Sequence, residues 1–316
     1  IVNDSVFCIH FYQTDLKCAD FCFIVDIAKL SNIVKNCPGE IINLKYNNGI
    51  VNINSLNTSF SINILKNVNV HIPPISKYIV QFKMVAKDFS DLIGYVEFCA
   101  LKNNLNSNLN AVSVQYKMAD KQLTAVAIDG HRLGINHCNI NCEIDKDFSI
   151  LLPLQVVHKI KSFLYEDIET DININVTSTS LIIDCGNKKA VFYLMNQDFA
   201  FPSYDHLIPK DNENIVTYDA LYFANILKRV ISISNESIKS VRIELNKNEV
   251  IIHTKELSDN YNNISREVIQ YDDKFNYKGE SMELALNSNY LIQFLTKVKD
   301  SSVSMYIKNS QNAVLL

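Results

Sequence analysis

The chain has 316 residues, which suits two or three domains rather than one. Apolar residues make up 47% and the mean hydropathy is close to zero, so sizeable cores can form, while no apolar run approaches the ~18 residues of a membrane helix. The formal net charge of -4 argues against a protein that grips nucleic acid over its whole surface, although contact confined to one inner face remains compatible with it. The sequence opens Ile1-Val2-Asn3-Asp4, with neither an initiator Met nor a basic-then-apolar leader, and reads as a chain entered partway through. The cysteines Cys8, Cys18, Cys22, Cys37, Cys99, Cys138, Cys142 and Cys185 form no Cys-x-x-Cys, and several sit among apolar neighbours. Buried free thiols in a reducing cytosol account for them.

In chain order, Phe21-Cys22-Phe23-Ile24-Val25 reads as an apolar strand leading into a helix near Ile27–Asn36. Ile41–Tyr46 and Ile50–Ile53 flank Asn47-Asn48-Gly49, and Asn-Gly favours the positive φ angles of a tight hairpin. Val80–Met84 leads into a helix carrying Phe89, Leu92, Ile93, Val96 and Ala100. Asp129-Gly130 marks a turn within Val126–Ile135. Phe148–Pro153 precedes a helix near Leu154–Leu164, and Ile215–Tyr218 precedes one carrying Phe223, Ile226, Leu227, Val230 and Ile231. Val241–Leu245 and Val250–Thr254 flank a polar turn, and Met282–Leu286 precedes a helix near Ser288–Lys299.

These elements repeat. The strand–helix starts at 21, 148 and 282 lie 127 and 134 positions apart, and those at 80 and 215 lie 135 apart. A period this long means repeated domains rather than solenoid units. Helices on antiparallel sheet, repeated, give an α+β architecture. Boundaries near Ser76-Lys77-Tyr78 and Asp211-Asn212-Glu213 divide the chain into 1–79, 80–213 and 214–316.

Ala127-Ile128-Asp129-Gly130-His131-Arg132-Leu133 carries the densest chemistry. One reading is a metal-assisted hydrolase using Asp129, His131 and His137. No nucleophile or partner base is apparent for it. A zinc site could recruit His131, His137, Cys138 and Cys142, but Cys-x3-Cys without a second pair fits no common template. The other reading is a hairpin whose polar tip supports a binding pocket. Charge patterning leaves a similar choice. Lys228 and Arg229 lie off the Phe223/Leu227/Val230 face, Lys297 off Leu291/Phe294/Val298, and His158 and Lys161 off Val156/Ile160/Phe163, while Lys29 and Lys35 sit on the first helix. They are either phosphate-attracting or ordinary solvated faces.

Several motifs together resemble the bacterial DNA polymerase III β subunit, the sliding-clamp family. They are Asp129-Gly130-His131-Arg132-Leu133, Phe199-Ala200-Phe201-Pro202-Ser203-Tyr204, Ser234-Asn235-Glu236 followed by Val241-Arg242-Ile243, and Leu109-Asn110-Ala111. The resemblance implies three similar clamp domains, with sheets outside and helices lining a central hole, closed head-to-tail into a dimeric ring. It also implies that the N-terminal half of the first domain and the tail of the third lie outside this sequence. Gly130, His131, Arg132 and Leu133 would help form a hydrophobic pocket with Leu109 and Ile128 from the second domain. Pro202, His206 and Leu207 from the linker, and Ile238 and Ala313 from the third domain, would complete it. Ile128 stands where the family usually has Thr, and His206 where Arg is common.

Such a groove suits short peptides anchored by Leu and aromatic side chains. The partners implied are a second copy of the chain, double-stranded DNA, the polymerase α subunit, the clamp loader, and other clamp-motif proteins of repair, mismatch repair and ligation. Lys29, Lys35, His158, Lys161, Lys228, Arg229 and Lys297 would face DNA, and Ile231 and Ile233 would contribute to the dimer interface. No cofactor, metal, catalytic group or membrane is implied, and the location would be cytoplasmic, at the nucleoid. A closed ring holds DNA by topology, so modest attraction without base readout is sufficient.

Overall fold

Strands that run into helices without a loop are the recurring local unit. The structure, a computed structural model, describes residues 2–3, 6–10, 23–65, 77–102, 107–140, 144–195, 200–233, 239–258, 261–298 and 302–316. Strands β1 (Val2–Asn3) and β2 (Val6–His10) precede helix α1 (Ile27–Lys35) and a meander of β3 (Asn43–Asn47), β4 (Ile50–Ser55) and β5 (Thr58–Asn63). β6 (Val80–Val85) runs into α2 (Ala86–Gly94), followed by β7 (Ala111–Lys117), β8 (Gln122–Ile128) and β9 (Leu133–Asn139). β10 (Phe148–Pro153) runs into α3 (Leu154–Leu164), followed by β11 (Asp171–Val176), β12 (Ser180–Cys185) and β13 (Lys188–Tyr193). β14 (Asn214–Asp219) runs into α4 (Ala220–Val230), followed by β15 (Ser240–Leu245), β16 (Glu249–Ser258), β17 (Tyr261–Gln270) and β18 (Phe275–Lys278). β19 (Met282–Asn287) runs into α5 (Ser288–Leu295), and β20 (Ser302–Ile307) is the last strand.

The chain divides into two compact units. One comprises residues 1–87, 142–145 and 158–194. It holds a six-stranded sheet in the order β1-β2-β13-β12-β11-β6 and the three-stranded sheet β3-β4-β5. β2 pairs with β13, Cys8 opposite Ala190, so strands from either side of the boundary expected near 79 share one sheet. The other unit comprises residues 88–141, 146–157 and 195–316. Its two four-stranded sheets have equivalent orders, β10-β7-β8-β9 and β19-β15-β16-β17, beside the three-stranded β18-β14-β20. In both, a three-strand meander is joined by the strand that feeds a helix. That is the long-period repeat in three dimensions. Among the described residues every strand pairing is antiparallel, and the architecture is α+β.

Local chemistry explains the element boundaries. Asp26 caps α1 by accepting from the Ala28 and Lys29 amides at 2.9 and 3.1 Å, and Asp219 caps α4 by accepting from Tyr222 at 2.7 Å. Asn48 and Gly49 take φ of 48° and 82°, the left-handed pair that the Asn-Gly hairpin requires. Several expectations need correction: α2 stops at Gly94, short of Val96 and Ala100, and α4 at Val230, short of Ile231. Phe23–Val25 is not a strand, and Phe21 and Cys22 lie outside the described residues. α5 stops at Leu295, because the Lys297 amide turns tightly onto the Phe294 carbonyl at 2.9 Å. α4 buries Phe223, Ala224, Ile226, Leu227 and Val230 in a core with Tyr218, Phe275 and Leu291, and no residue of α1 is buried. No helix among the described residues is long and apolar enough to cross a membrane.

Candidate functional site

The Asp129–Arg132 turn is built around one carboxylate. Oδ1 of Asp129 accepts from the His131 and Arg132 amides, both at 3.0 Å, and Oδ2 pairs with Arg132 Nε at 2.9 Å. Gly130 takes φ +88°, a conformation that strains any side chain, although a Cβ there would meet open space. The carboxylate that suggested a metal-assisted hydrolase is engaged in holding the turn and Arg132. His137 lies further along β9, its Nδ1 3.0 Å from Thr124 Oγ1. Among the described residues no three His, Cys, Asp or Glu side chains are grouped to hold a metal, and Cys142 lies outside them.

Arg132 does not simply flank a groove. Its guanidinium lies 4.2 Å from the Tyr290 ring centroid and 5.4 Å from that of Phe98, and Nη1 donates to Gln293 Oε1 at 2.6 Å. Tyr290 and Gln293 belong to α5, so the side chain fastens the β8–β9 turn to that helix. Nearby, Lys297 Nζ pairs with the buried Glu97 at 3.0 Å. This lysine, expected to face DNA, is half-buried and engaged in the same junction. β9 also approaches the 3-10 turn Glu97–Cys99 closely: a Cβ on Gly134 would come within 2.9 Å of Cys99 Sγ. Burial pushes the Cys99 thiol up to about 12, well above its ordinary 9.0.

Of the expected pocket's apolar residues, Leu109, Ile128 and Leu133 lie at one end of the β7–β8–β9 sheet. Ile128 and Leu133 are register partners, with Ile128 buried and Leu133 half-buried. Leu109 directly precedes β7, its carbonyl accepting from the Leu101 amide at 2.9 Å. Next to it, Asn108 Nδ2 donates to the Ala200 carbonyl at 2.6 Å, tethering the segment that carries Pro202. A 3-10 turn over Asp205–Leu207 then leaves Pro202, His206 and Leu207 exposed. His131 is exposed at the turn. Ala313 is exposed on the terminal segment, where Leu315 pairs with Tyr306. Ile238, Phe199 and Ser234-Asn235-Glu236 lie outside the described residues.

The charged set is less uniform than its spacing suggests. Lys29, Lys35, His158 and Lys228 are exposed and Lys161 is half-buried. Arg229 is committed to Glu267, Nε to Oε2 at 3.2 Å and Nη2 to Oε1 at 2.5 Å, which offsets its charge. Ile231 and Ile233 are half-buried in a 3-10 turn beside β17, an edge strand. Sequence reasoning missed Glu97, Phe98, Tyr290 and Gln293. Nothing local marks them, since Gln293 meets Arg132 across 161 residues of chain.

Comparison with known proteins bears on this geometry. The model of the DNA polymerase III beta subunit central domain matches residues 83–202, and that of the C-terminal domain matches residues 205–316. A beta sliding clamp of Rickettsia felis is 25% identical over 241 residues, covering 74% of this chain and 62% of that protein. The match thus spans less than two thirds of the curated relative. A DNA polymerase III beta subunit of Thermotoga maritima superposes with a TM-score of 0.87 at 21% identity, over 98% of this chain and 81% of that one. A sliding clamp of Bartonella birtlesii bound to griselimycin gives 0.88 at 19% identity, over 98% and 81%. These likenesses show a shared fold.

Proposed function

The chain belongs to the DNA polymerase III beta subunit family, and from that premise we propose that it is a replication processivity clamp. Two copies close head-to-tail into a ring around duplex DNA, and an apolar pocket tethers the polymerase. The chain is an accessory subunit without catalysis of its own. The observation that carries this reading is the use of Asp129: its carboxylate is engaged by two amides and Arg132, so it braces the turn between Ile128 and Leu133 instead of activating water. Pro202 and Leu207, exposed on the segment that the Asn108–Ala200 bond tethers, would add apolar surface for a peptide's Leu or aromatic anchor. The griselimycin-bound relative supports a ligand-accepting site on this fold.

The pocket comprises Leu109, Ile128, Gly130, His131, Leu133, Pro202, His206, Leu207, Ile238 and Ala313, with Arg132 as the side chain that holds its turn in place. Its users are the polymerase α subunit, the clamp loader and clamp-motif proteins of repair, mismatch repair and ligation. Exposed Lys29, Lys35, His158 and Lys228, with half-buried Lys161, attract phosphates from the helices. Arg229 and Lys297 contribute less, because each already has a carboxylate. The edge strand β17, with Ile231 and Ile233 beside it, supplies one side of a two-fold dimer interface. The three domains run 1–79, 80–213 and 214–316, and the site of action is the nucleoid in the cytoplasm.

The direct test is to load the protein onto nicked circular plasmid with a clamp loader and then linearise the DNA. Topological binding predicts release at the free ends. Retention on linear DNA would reject the ring.

A further inference from the structure

The sheet that carries the apolar pocket continues, on the same face, into a polar cleft. Register makes this explicit. Ile128 lies opposite Leu133, Val126 lies opposite Ser113 and Ile135, and Thr124 lies opposite Gln115 and His137. Alternate residues of a strand share a face, so Ile128, Val126 and Thr124 form a column, as do Leu133, Ile135 and His137. The pocket residues sit at one end of these columns. At the other end is a cleft of about 150 Å³ whose wall includes Gln115, Thr124 and His137. Two rows of strand separate them, roughly 13 Å at the rise of a β-strand.

One chain segment closes both sites. Pro202 and Leu207 belong to the pocket, while Tyr204, Asp205 and Ile208 line the cleft. Tyr204 reaches the sheet by donating to Gln115 Oε1 at 3.4 Å. The cleft's formal charges are those of Lys117 and Asp120, both from the β7–β8 turn, and of Asp205 from the covering segment, an acidic balance. Asp120 and Asp205 are exposed carboxylates at the rim, and neither has a cation within ion-pair distance among the described residues.

We propose that this cleft is an extension of the partner-binding groove, receiving a basic side chain that flanks the apolar anchors of a bound peptide. The inference rests on the peptide-pocket reading above and adds a specificity element to it. Four extended residues span the distance, so the basic residue lies about four positions from the anchor. Its ammonium or guanidinium meets Asp120 and Asp205 in place of water, and the Gln115 amide and Thr124 hydroxyl offer acceptors. Because the carboxylates are exposed, the gain is modest and falls as salt screens it.

The test measures binding of three fluorescent peptides to the full chain: one with Leu and Phe anchors alone, and two with an arginine four residues to the amino or the carboxyl side. The expected result is that one arginine peptide binds about threefold more tightly at low salt. Asp120→Asn, or Asp205→Asn, removes that gain while leaving the anchor-only peptide unchanged. If the anchor-only peptide binds but neither arginine alters its affinity, or if the gain survives both substitutions, the extension is wrong and the pocket stands. If the anchor-only peptide fails to bind, the pocket itself is wrong and the extension falls with it.

Discussion

Residues 23–65 and the junction between the β8–β9 turn and α5 are held in different ways. In the first region α1 buries nothing, with Ile27 55% exposed, and β3 leaves Leu44 and Tyr46 exposed. Only Val51, Ile53 and Ser55 on β4 are buried. In the second, a polar network of Asp129, Arg132 and Gln293, with Glu97 and Lys297 alongside, is enclosed between aromatic rings and a sheet edge. Amphipathic spacing forms an element in either case, but the free energy of burial depends on what lies opposite it. The lesson is sharpest between helices: α1 and α4 share a strong apolar stripe and an Asp cap, and only α4 has a core to place it in.

The largest expected contrast comes from emptying the two stripes. Phe223→Ala in α4 should cost about 3–5 kcal/mol, whereas Ile27→Ala in α1 should stay within about 0.5 kcal/mol. Urea denaturation of both variants measures this, and equal losses would mean that α1 is covered in solution.

Next in size, Arg132→Ala leaves the Asp129 carboxylate without its cation and should cost about 2–3 kcal/mol. Gln293→Ala should cost about 1 kcal/mol, and the double variant should lose less than the sum. Strict additivity would show that the two side chains are not coupled.

Leu133→Ala or Pro202→Ala should weaken an anchor peptide about tenfold, roughly 1.4 kcal/mol, while leaving dimerisation intact. Unchanged affinity in both variants, measured by calorimetry, would remove them from the pocket.

The smallest effect is a pH dependence. Folding raises the Cys99 thiol from 9.0 to about 12, so the folded state holds that proton more tightly. The associated stability is fully present below pH 9 and declines as pH rises towards 12. Between pH 9 and 10 the loss should be about 1 kcal/mol, and Cys99→Ala should flatten that slope relative to the parent. Thiol alkylation at pH 8.5 provides the matching contrast: half-buried Cys37, just after α1, should label while buried Cys99 resists.

Much of the fold was legible because its signals are local. The start of α3 at Leu154 and its end at Leu164, the Asn48-Gly49 hairpin and the strand–helix repeat all follow from apolar spacing and turn chemistry. Phe23–Val25 misled because a short apolar run has no inherent period, and Asp26 starts a helix immediately after it. Ile128 and Leu133 were legible as the two ends of a turn, whereas nothing local in the sequence marks the bond between Asn108 and Ala200.

By itself, the sequence determined where α3 and α4 begin, which apolar face each buries, the Asn48-Gly49 hairpin, and that Gly130 suits a turn. These depend on backbone sterics and on neighbours within a few residues, which every unfolded copy of the chain already carries. Only the tertiary structure decided the role of the charged side chains. Arg132, already paired with Asp129 inside its own turn, became the fastening to Gln293 and Tyr290, Lys297 the partner of Glu97, and Arg229 the partner of Glu267. Coulomb attraction and desolvation depend on distance and burial in three dimensions. A carboxylate that looks like a catalyst in one dimension is a brace once its cation lies 2.9 Å away.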